Sequence, residues 1–222
     1  MKKIYLALAI AGTLTGCTSN SDKAPVNTTP VPAMGKVADG AFTRFALNGN
    51  SSGAWLVHAT PELGLGAVEA TNITASGDPG SLRLFYPSIN ESSMLQAGPG
   101  VSQIIPNIEP DTDYLLTVYY RDEKGDESPN LLELGVKDMG VGSLAGNTLR
   151  TKVFTNDDIV GSGGDDTNGF RKVELAFNSG SNTTLEVYAL THLNSTENID
   201  MNGEIALQTE VFIDDVVLKA DD

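Results

Sequence analysis

Residues Val211–Lys219 read V-F-I-D-D-V-V-L-K. The apolar residues on either side of the acidic pair make an ordinary buried β-strand, and two adjacent carboxylates in its middle do not. An ionised Asp is seldom buried without partners, because its desolvation outweighs what the burial of one strand returns. Alternation along a strand sends Asp214 and Asp215 to opposite faces. Two readings stay open on residue chemistry: one carboxylate is a calcium ligand closing the fold, or the pair sits at an edge or strand end where both reach water or hydrogen-bond donors.

Upstream of this strand, from Val37 onward, short apolar runs alternate with clusters of Gly, Pro, Asn, Asp and Ser, and no helical period is sustained for three turns. Strands are expected at Ala41–Leu47, Ala54–Thr60, Val68–Ala75, Ser81–Tyr86, Val101–Ile105, Tyr114–Arg121, Leu131–Val136, Leu149–Thr155, Phe170–Phe177, Thr184–Leu190, Ile205–Leu207 and Glu210–Lys219. Many short strands separated by turn signals predict an all-β fold, an antiparallel sandwich or barrel in a single domain.

The other end of the chain carries an address. Lys2 and Lys3 precede an apolar run from Ile4 to about Leu14, too short for a membrane span and typical of a secretory signal. Leu14-Thr15-Gly16-Cys17 matches the bacterial lipobox, so residues 1–16 are expected to be removed and the Cys17 thiol lipidated. Thr18 follows, not the Asp that retains such proteins at the inner membrane, which points to the outer membrane. Residues 17–36 are polar and proline-punctuated and read as a tether; residues 37–222 form the domain. Cys17 is the chain's single cysteine, so the domain holds by packing without disulfides. A net charge of −15 speaks against nucleic acid and anionic membrane surfaces as partners.

Several predicted strands have a clear face. In Tyr114–Arg121, Tyr114, Leu116, Val118 and Tyr120 read as core, with Leu115, Thr117, Tyr119 and Arg121 opposite. Leu185, Val187 and Ala189 leave Glu186 and Tyr188 opposite; Leu132, Leu134 and Val136 leave Glu133 and Gly135 opposite; Arg83 alternates with Leu82 and Leu84. One sheet is therefore expected to present Arg83, Tyr119, Arg121, Glu133, Glu186 and Tyr188 together. Such a mixed aromatic and charged face suits a sugar, with rings under the pyranose and polar groups on its hydroxyls. Trp55 reads as a core anchor or a ligand platform.

The segments D-G-A-F at Asp39, Trp55, G-S-L-R-L at Gly80–Leu84, I-I-P-N-I-E-P-D-T-D-Y-L-L-T-V-Y-Y-R at Ile104–Arg121, F-R-K-V-E-L-A-F at Phe170–Phe177 and the closing V-F-I-D-D-V-V-L follow one another in an order. That order resembles the galactose-binding-like carbohydrate-binding modules attached to bacterial xylanases and glucanases, over roughly Val37 to Lys219. The resemblance implies a β-jelly-roll sandwich and a structural calcium between the N-terminal strand and the D-D strand. Asp214 would be its side-chain ligand, with oxygens near Asp39–Phe42 completing the shell. Thr43 stands where the family usually has an acidic residue, Phe170 where it often has Trp, and Asn156–Gly169 is an insertion that reads as a solvated loop and fits no EF-hand spacing.

No G-x-S-x-G elbow, H-E-x-x-H or phosphate loop occurs, and the two histidines, His58 and His192, belong to no catalytic motif. The expectation is a monomeric, non-catalytic, lipid-anchored outer-membrane protein that binds a polysaccharide or oligosaccharide through Trp55, Arg83, Tyr119, Arg121, Glu186 and Tyr188. The alternative is a structural or protein-interaction envelope lipoprotein on the same sandwich.

Overall fold

The computed structural model describes residues 35–221 apart from 61, 62, 64, 91–97, 140–143 and 162–165. The expected signal sequence, Cys17 and most of the expected tether lie outside the described residues. Eleven strands make two antiparallel sheets. The five-stranded sheet runs β1 (Leu56–His58), β4 (Gly100–Pro106), β10 (Thr184–Leu193), β6 (Asn130–Asp138), β7 (Thr148–Phe154). The six-stranded sheet runs β2 (Ala67–Thr71), β3 (Ser81–Phe85), β11 (Val211–Ala220), β5 (Asp113–Arg121), β9 (Phe170–Asn178), β8 (Asp166–Thr167).

The two sheets share one core. Leu132, Leu134, Val136, Leu185, Val187 and Val101 from the first sheet meet Leu82, Leu84, Leu116, Val118, Ile213 and Leu218 from the second, all of them buried. Each fully buried aliphatic side chain contributes about 1.5–3 kcal/mol of transfer free energy, so the alternation predicted for β5, β6 and β10 is what closes the sandwich. In β5, Tyr114, Leu116, Val118 and Tyr120 are buried and Leu115, Thr117, Tyr119 and Arg121 are partly exposed. Strand β10 is central and buried on both faces along most of its length.

Two expected strands are helices. Thr43–Leu47 is α1 rather than part of a strand. The reason lies upstream: the Asp39 carboxylate accepts the N–H groups of Arg44 (2.9 Å) and Phe45 (3.0 Å), two donors of the first turn that would otherwise be orphaned. Ile205–Thr209 is α3, where Thr209 Oγ1 donates back to the Ile205 carbonyl (2.9 Å). The insertion is also more ordered than a bare loop, holding α2 (Asn156–Gly161) and β8.

The acidic pair of β11 sits at a β-bulge. Ile213 pairs with Tyr120, Asp214 with Tyr119 and Val217 with Thr117, so β11 carries one residue more than β5 over this stretch. Asp215 takes the left-handed conformation (φ 46°). The bulge returns Val216 and Leu218 to the core behind Ile213. It also frees the Val216 N–H to donate to the Gly40 carbonyl (3.0 Å), docking the N-terminal turn onto the middle of the strand.

Candidate functional site

The outer face of the five-stranded sheet carries two polar clusters. In the first, the Ser102 hydroxyl on β4 donates to Glu186 Oε1 on β10 (2.7 Å), and His58 Nε2 on β1 lies 2.8 Å from the same Ser102 oxygen. Because the serine's single proton goes to the carboxylate, the imidazole must donate its Nε2–H. Burial lowers the His58 pKa, opposed by the Glu186 charge, so a neutral ring fits this role. The Leu144 N–H also donates to Glu186 Oε1 (3.2 Å). Glu186 is fully buried, and its Oε2 has no hydrogen-bond partner among the described residues.

In the second cluster, Glu133 on β6 accepts from the Tyr188 hydroxyl (2.8 Å) and the Thr151 hydroxyl (3.0 Å) at Oε1, and lies 2.6 Å from His192 Nε2 at Oε2. The His192 hydrogen bond, with those of Tyr188 and Thr151, holds the Glu133 pKa down at about 2 against the opposing effect of burial. Burial pushes the Tyr188 phenol up to about 12. The Tyr188 ring lies against Gly135, directly opposite on β6, where any Cβ would overlap it. Lys137 Nζ stands 5.7 Å from the ring centroid and donates to the Leu144 carbonyl (2.8 Å). Exposed Leu56, Ile104 and Val153 flank these clusters on the same face, their register partners being Ser102, Glu186 and Glu133. At the β1 end a pocket of about 320 Å³ is lined by His58, Val57, Leu65, Gly98, Leu144 and Leu190 among others.

The six residues expected to share a ligand face do not share one. Trp55 belongs to the core, 7 % exposed, with its Nε1–H donating to the Asp39 carbonyl (2.9 Å) and its ring 5.1 Å from that of Phe42. It is an anchor and not a platform. Arg83, Tyr119 and Arg121 point outward as expected, but from the six-stranded sheet. There Arg83 is paired with Glu210 (2.7 Å) and Glu69 (3.5 Å), and Arg121 with Glu123. Tyr119 packs against the small cluster of Ala75, Phe170 and Phe212. Alternation separates inside from outside but does not say to which sheet a strand belongs, so Glu133, Glu186 and Tyr188 stay together on one sheet while Arg83, Tyr119 and Arg121 lie on the other. His58, Ser102, Lys137, Leu144 and Thr151 were not among the expected site residues. Ser102, alternating with buried Val101 and Gln103, carries the one signal that was available.

Asp39 and Asp214, the expected calcium ligands, each hold backbone N–H groups. Asp214 is fully buried and accepts from Ala75 (2.8 Å) and Asp215 (2.8 Å). The Asp39 carbonyl takes Phe42 N–H and Trp55 Nε1–H, and the Gly40 carbonyl takes Val216 N–H. As arranged, these oxygens fit capping and pairing roles and not the six-to-eight-oxygen shell of calcium. Among the described residues no group of three or more His, Cys, Asp or Glu is placed to hold a metal ion.

Burial, together with the charges of Asp215 and Asp78, pushes the Asp214 pKa up to about 7 despite its two backbone hydrogen bonds. Raised from 3.8, the group favours the folded state fully below about pH 4, and that contribution is lost as pH rises toward 7. Asp214→Asn is therefore expected to flatten the stability profile in that window, with wild type losing on the order of 3 kcal/mol relative to the variant between pH 4 and 7.5. Urea unfolding at stepped pH measures this, and parallel profiles would reject the assignment.

No family model matches the chain, and no curated protein matches it. Among solved structures it is similar to TmCBM61 in complex with β-1,4-galactotriose, at 14 % identity and a TM-score of 0.50, over 82 % of this chain and 96 % of that one. It is also similar to the CBM22-2 xylan-binding domain of Xyn10C from Paenibacillus barcinonensis, at 13 % identity, TM-score 0.47, over 85 % and 100 %. A third is the enzymatically active domain of tailspike protein 4 from bacteriophage CBA120, at 14 % identity and TM-score 0.49. This chain spans 21 % of that domain's length, with 83 % of itself covered. The likeness to TmCBM61 agrees with the antiparallel β-sandwich as the fold of this chain.

Proposed function

We propose that this β-sandwich binds a polysaccharide or oligosaccharide without acting on it, through the outer face of its five-stranded sheet, while a lipid on Cys17 holds it at the bacterial outer membrane. The observation that carries the reading is the convergence of Glu186, Tyr188, Glu133, Ser102, Thr151 and His192 on one sheet surface. Carboxylates and hydroxyls of this kind exchange hydrogen bonds with sugar hydroxyls, and the flanking Leu56, Ile104 and Val153 offer apolar contact. The fold likeness to TmCBM61, a structure that holds β-1,4-galactotriose, supports a glycan as the ligand class.

The spacing of the two carboxylates supports a non-catalytic role. Glu133 pairs with Leu190 and Glu186 with Lys137, four residues apart along the ladder. At about 3.3 Å per residue their backbones are ~13 Å apart, and each carboxylate is engaged by its own neighbours, Glu186 by Ser102 and Glu133 by Tyr188, Thr151 and His192. The lipobox Leu14-Thr15-Gly16-Cys17 and the Thr18 that follows support the anchor and the membrane.

Affinity electrophoresis of the full chain through gels containing neutral and acidic polysaccharides tests the reading. Retardation by one glycan class is expected, weakened at least ~10-fold in Glu133→Gln combined with His192→Ala and unchanged in Arg121→Ala on the opposite sheet. Incorporation of a clickable palmitate analogue, lost in Cys17→Ala, tests the anchor. A second reading rests on the burial of every described aromatic ring except Tyr119, which leaves Leu56, Ile104 and Val153 as the exposed apolar surface of this face. If no glycan retards the folded protein, this face is a docking surface for an envelope protein.

A further inference from the structure

Leu144 has three features that do not belong to an ordinary loop residue. Its backbone is left-handed (φ 61°), a conformation that a bulky side chain disfavours and that concentrates at ligand clamps and switches. Its N–H is spent on Glu186 Oε1 and its carbonyl on Lys137 Nζ, two side chains of the sheet face beneath it. Glu186 meanwhile keeps a second carboxylate oxygen, fully buried and without a partner among the described residues. Buried carboxylate oxygens left unpaired are rare in folded proteins and call for an explanation.

We propose that Glu186, Lys137 and Tyr188 form a saccharide subsite that the Leu144 peptide group occupies in the unliganded protein. The inference rests on the glycan reading above. An amide N–H donating to a carboxylate and an amide carbonyl accepting from a lysine reproduce what two neighbouring sugar hydroxyls supply, one as donor and one as acceptor. Displacement of Leu144 leaves the Glu186 acceptor and the Lys137 donor free beside the Tyr188 ring, over which Lys137 Nζ stands. The unpartnered Oε2 of Glu186 then finds a further hydroxyl. The ligand class is a neutral saccharide: Glu186 and Glu133 share this face, and uronate or sulfate groups would meet two carboxylates. On the C-terminal side of Leu144, the Asn147 N–H and side-chain amide both donate to the Asp138 carboxylate (2.5 and 2.8 Å).

Leu144→Pro tests the idea, since proline cannot adopt a φ near +60° and has no N–H to give Glu186. The full-length variant is expected to bind a retarding neutral glycan at least ~10-fold more tightly than wild type, a gain abolished by adding Glu186→Gln. Leu144→Gly, which keeps the N–H and tolerates the backbone, should show no such gain. Should the proline variant not fold, wild-type protein is footprinted by hydroxyl radicals with and without the glycan, and Leu144 labelling must rise on binding. Equal or weaker glycan binding by folded Leu144→Pro, or no rise in Leu144 labelling, overturns the plug and leaves the glycan reading standing. Retardation of neither protein by any glycan overturns both.

Discussion

Gly40→Ala is expected to lower the unfolding free energy by about 3–5 kcal/mol, the range of severe backbone and core defects. The Cβ it adds would overlap the Val216 carbonyl oxygen, a backbone atom that cannot swing aside. The same two residues share the hydrogen bond from Val216 N–H to the Gly40 carbonyl, so relieving the overlap breaks the docking of the N-terminal turn. The loss spreads, because that turn carries Asp39, whose carboxylate caps α1 and whose carbonyl holds Trp55. Those contacts in turn orient the Phe42, Phe45 and Trp55 rings at the end of the core. At an m-value of about 2 kcal/mol per molar urea, the midpoint falls by roughly 2 M. Gly49→Ala is the control: its φ is +64° but an added Cβ meets nothing, so it should cost only about 1 kcal/mol. Equal midpoints for the two variants would mean that the turn does not rest on the bulge as described.

The second large effect is expected at Gly135. Alanine there puts a methyl group where the Tyr188 ring lies. The ring must leave β6, and its hydroxyl then loses Glu133 and Thr151. A cost of about 2–3 kcal/mol is expected from overpacking plus the lost hydrogen bonds. Ultraviolet titration should show one tyrosine ionising at lower pH than in wild type, since burial is what raises the Tyr188 pKa. The cost should be strongly non-additive: in a Tyr188→Ala background the clash partner is gone, and Gly135→Ala should then cost well under 1 kcal/mol. Full additivity would show that Gly135 is required for a reason other than Tyr188. Glycan retardation should fail in Gly135→Ala if Tyr188 belongs to the binding face.

Which parts of this molecule could be read from residue order follows from how local each determinant is. The alternation of Tyr114–Arg121 is a property of eight consecutive residues, and the structure reproduces its two faces. The same holds for Leu132, Leu134 and Val136 in β6. Ala41–Leu47 has an apolar pattern that a strand and a helical turn both accommodate. The deciding contact is a carboxylate at position 39 reaching N–H groups five and six residues ahead. The candidate site needed information of still longer range. Tyr119 and Tyr188 both face outward, as their alternation implies, yet on opposite outer surfaces of the sandwich, because sheet membership is decided by pairing across the chain. Glu186 faces outward and is nevertheless fully buried, and its hydrogen-bond donors, Leu144 and Ser102, lie 42 and 84 positions away. The acidic pair in β11 announced an irregularity in the strand, and the bulge is that irregularity. Its chemical purpose was legible only as two options, and the carboxylate of Asp214 turns out to be occupied by peptide N–H groups.

The position of β11 has a bearing on how the chain reaches this state. It follows every other strand in the sequence, yet it lies in the interior of its sheet, bonded on one side to β3 and on the other to β5. A polypeptide emerging from its N-terminus therefore holds β3 and β5 with no strand to join them until the residues beyond 210 arrive. Vectorial delivery, from a ribosome or through a translocation channel, leaves the six-stranded sheet open along a seam up to that moment. Closure then couples the ends of the domain in one step, because the arriving strand also captures the Gly40 turn near the domain's start. Contacts of such sequence separation make for slow, highly cooperative folding.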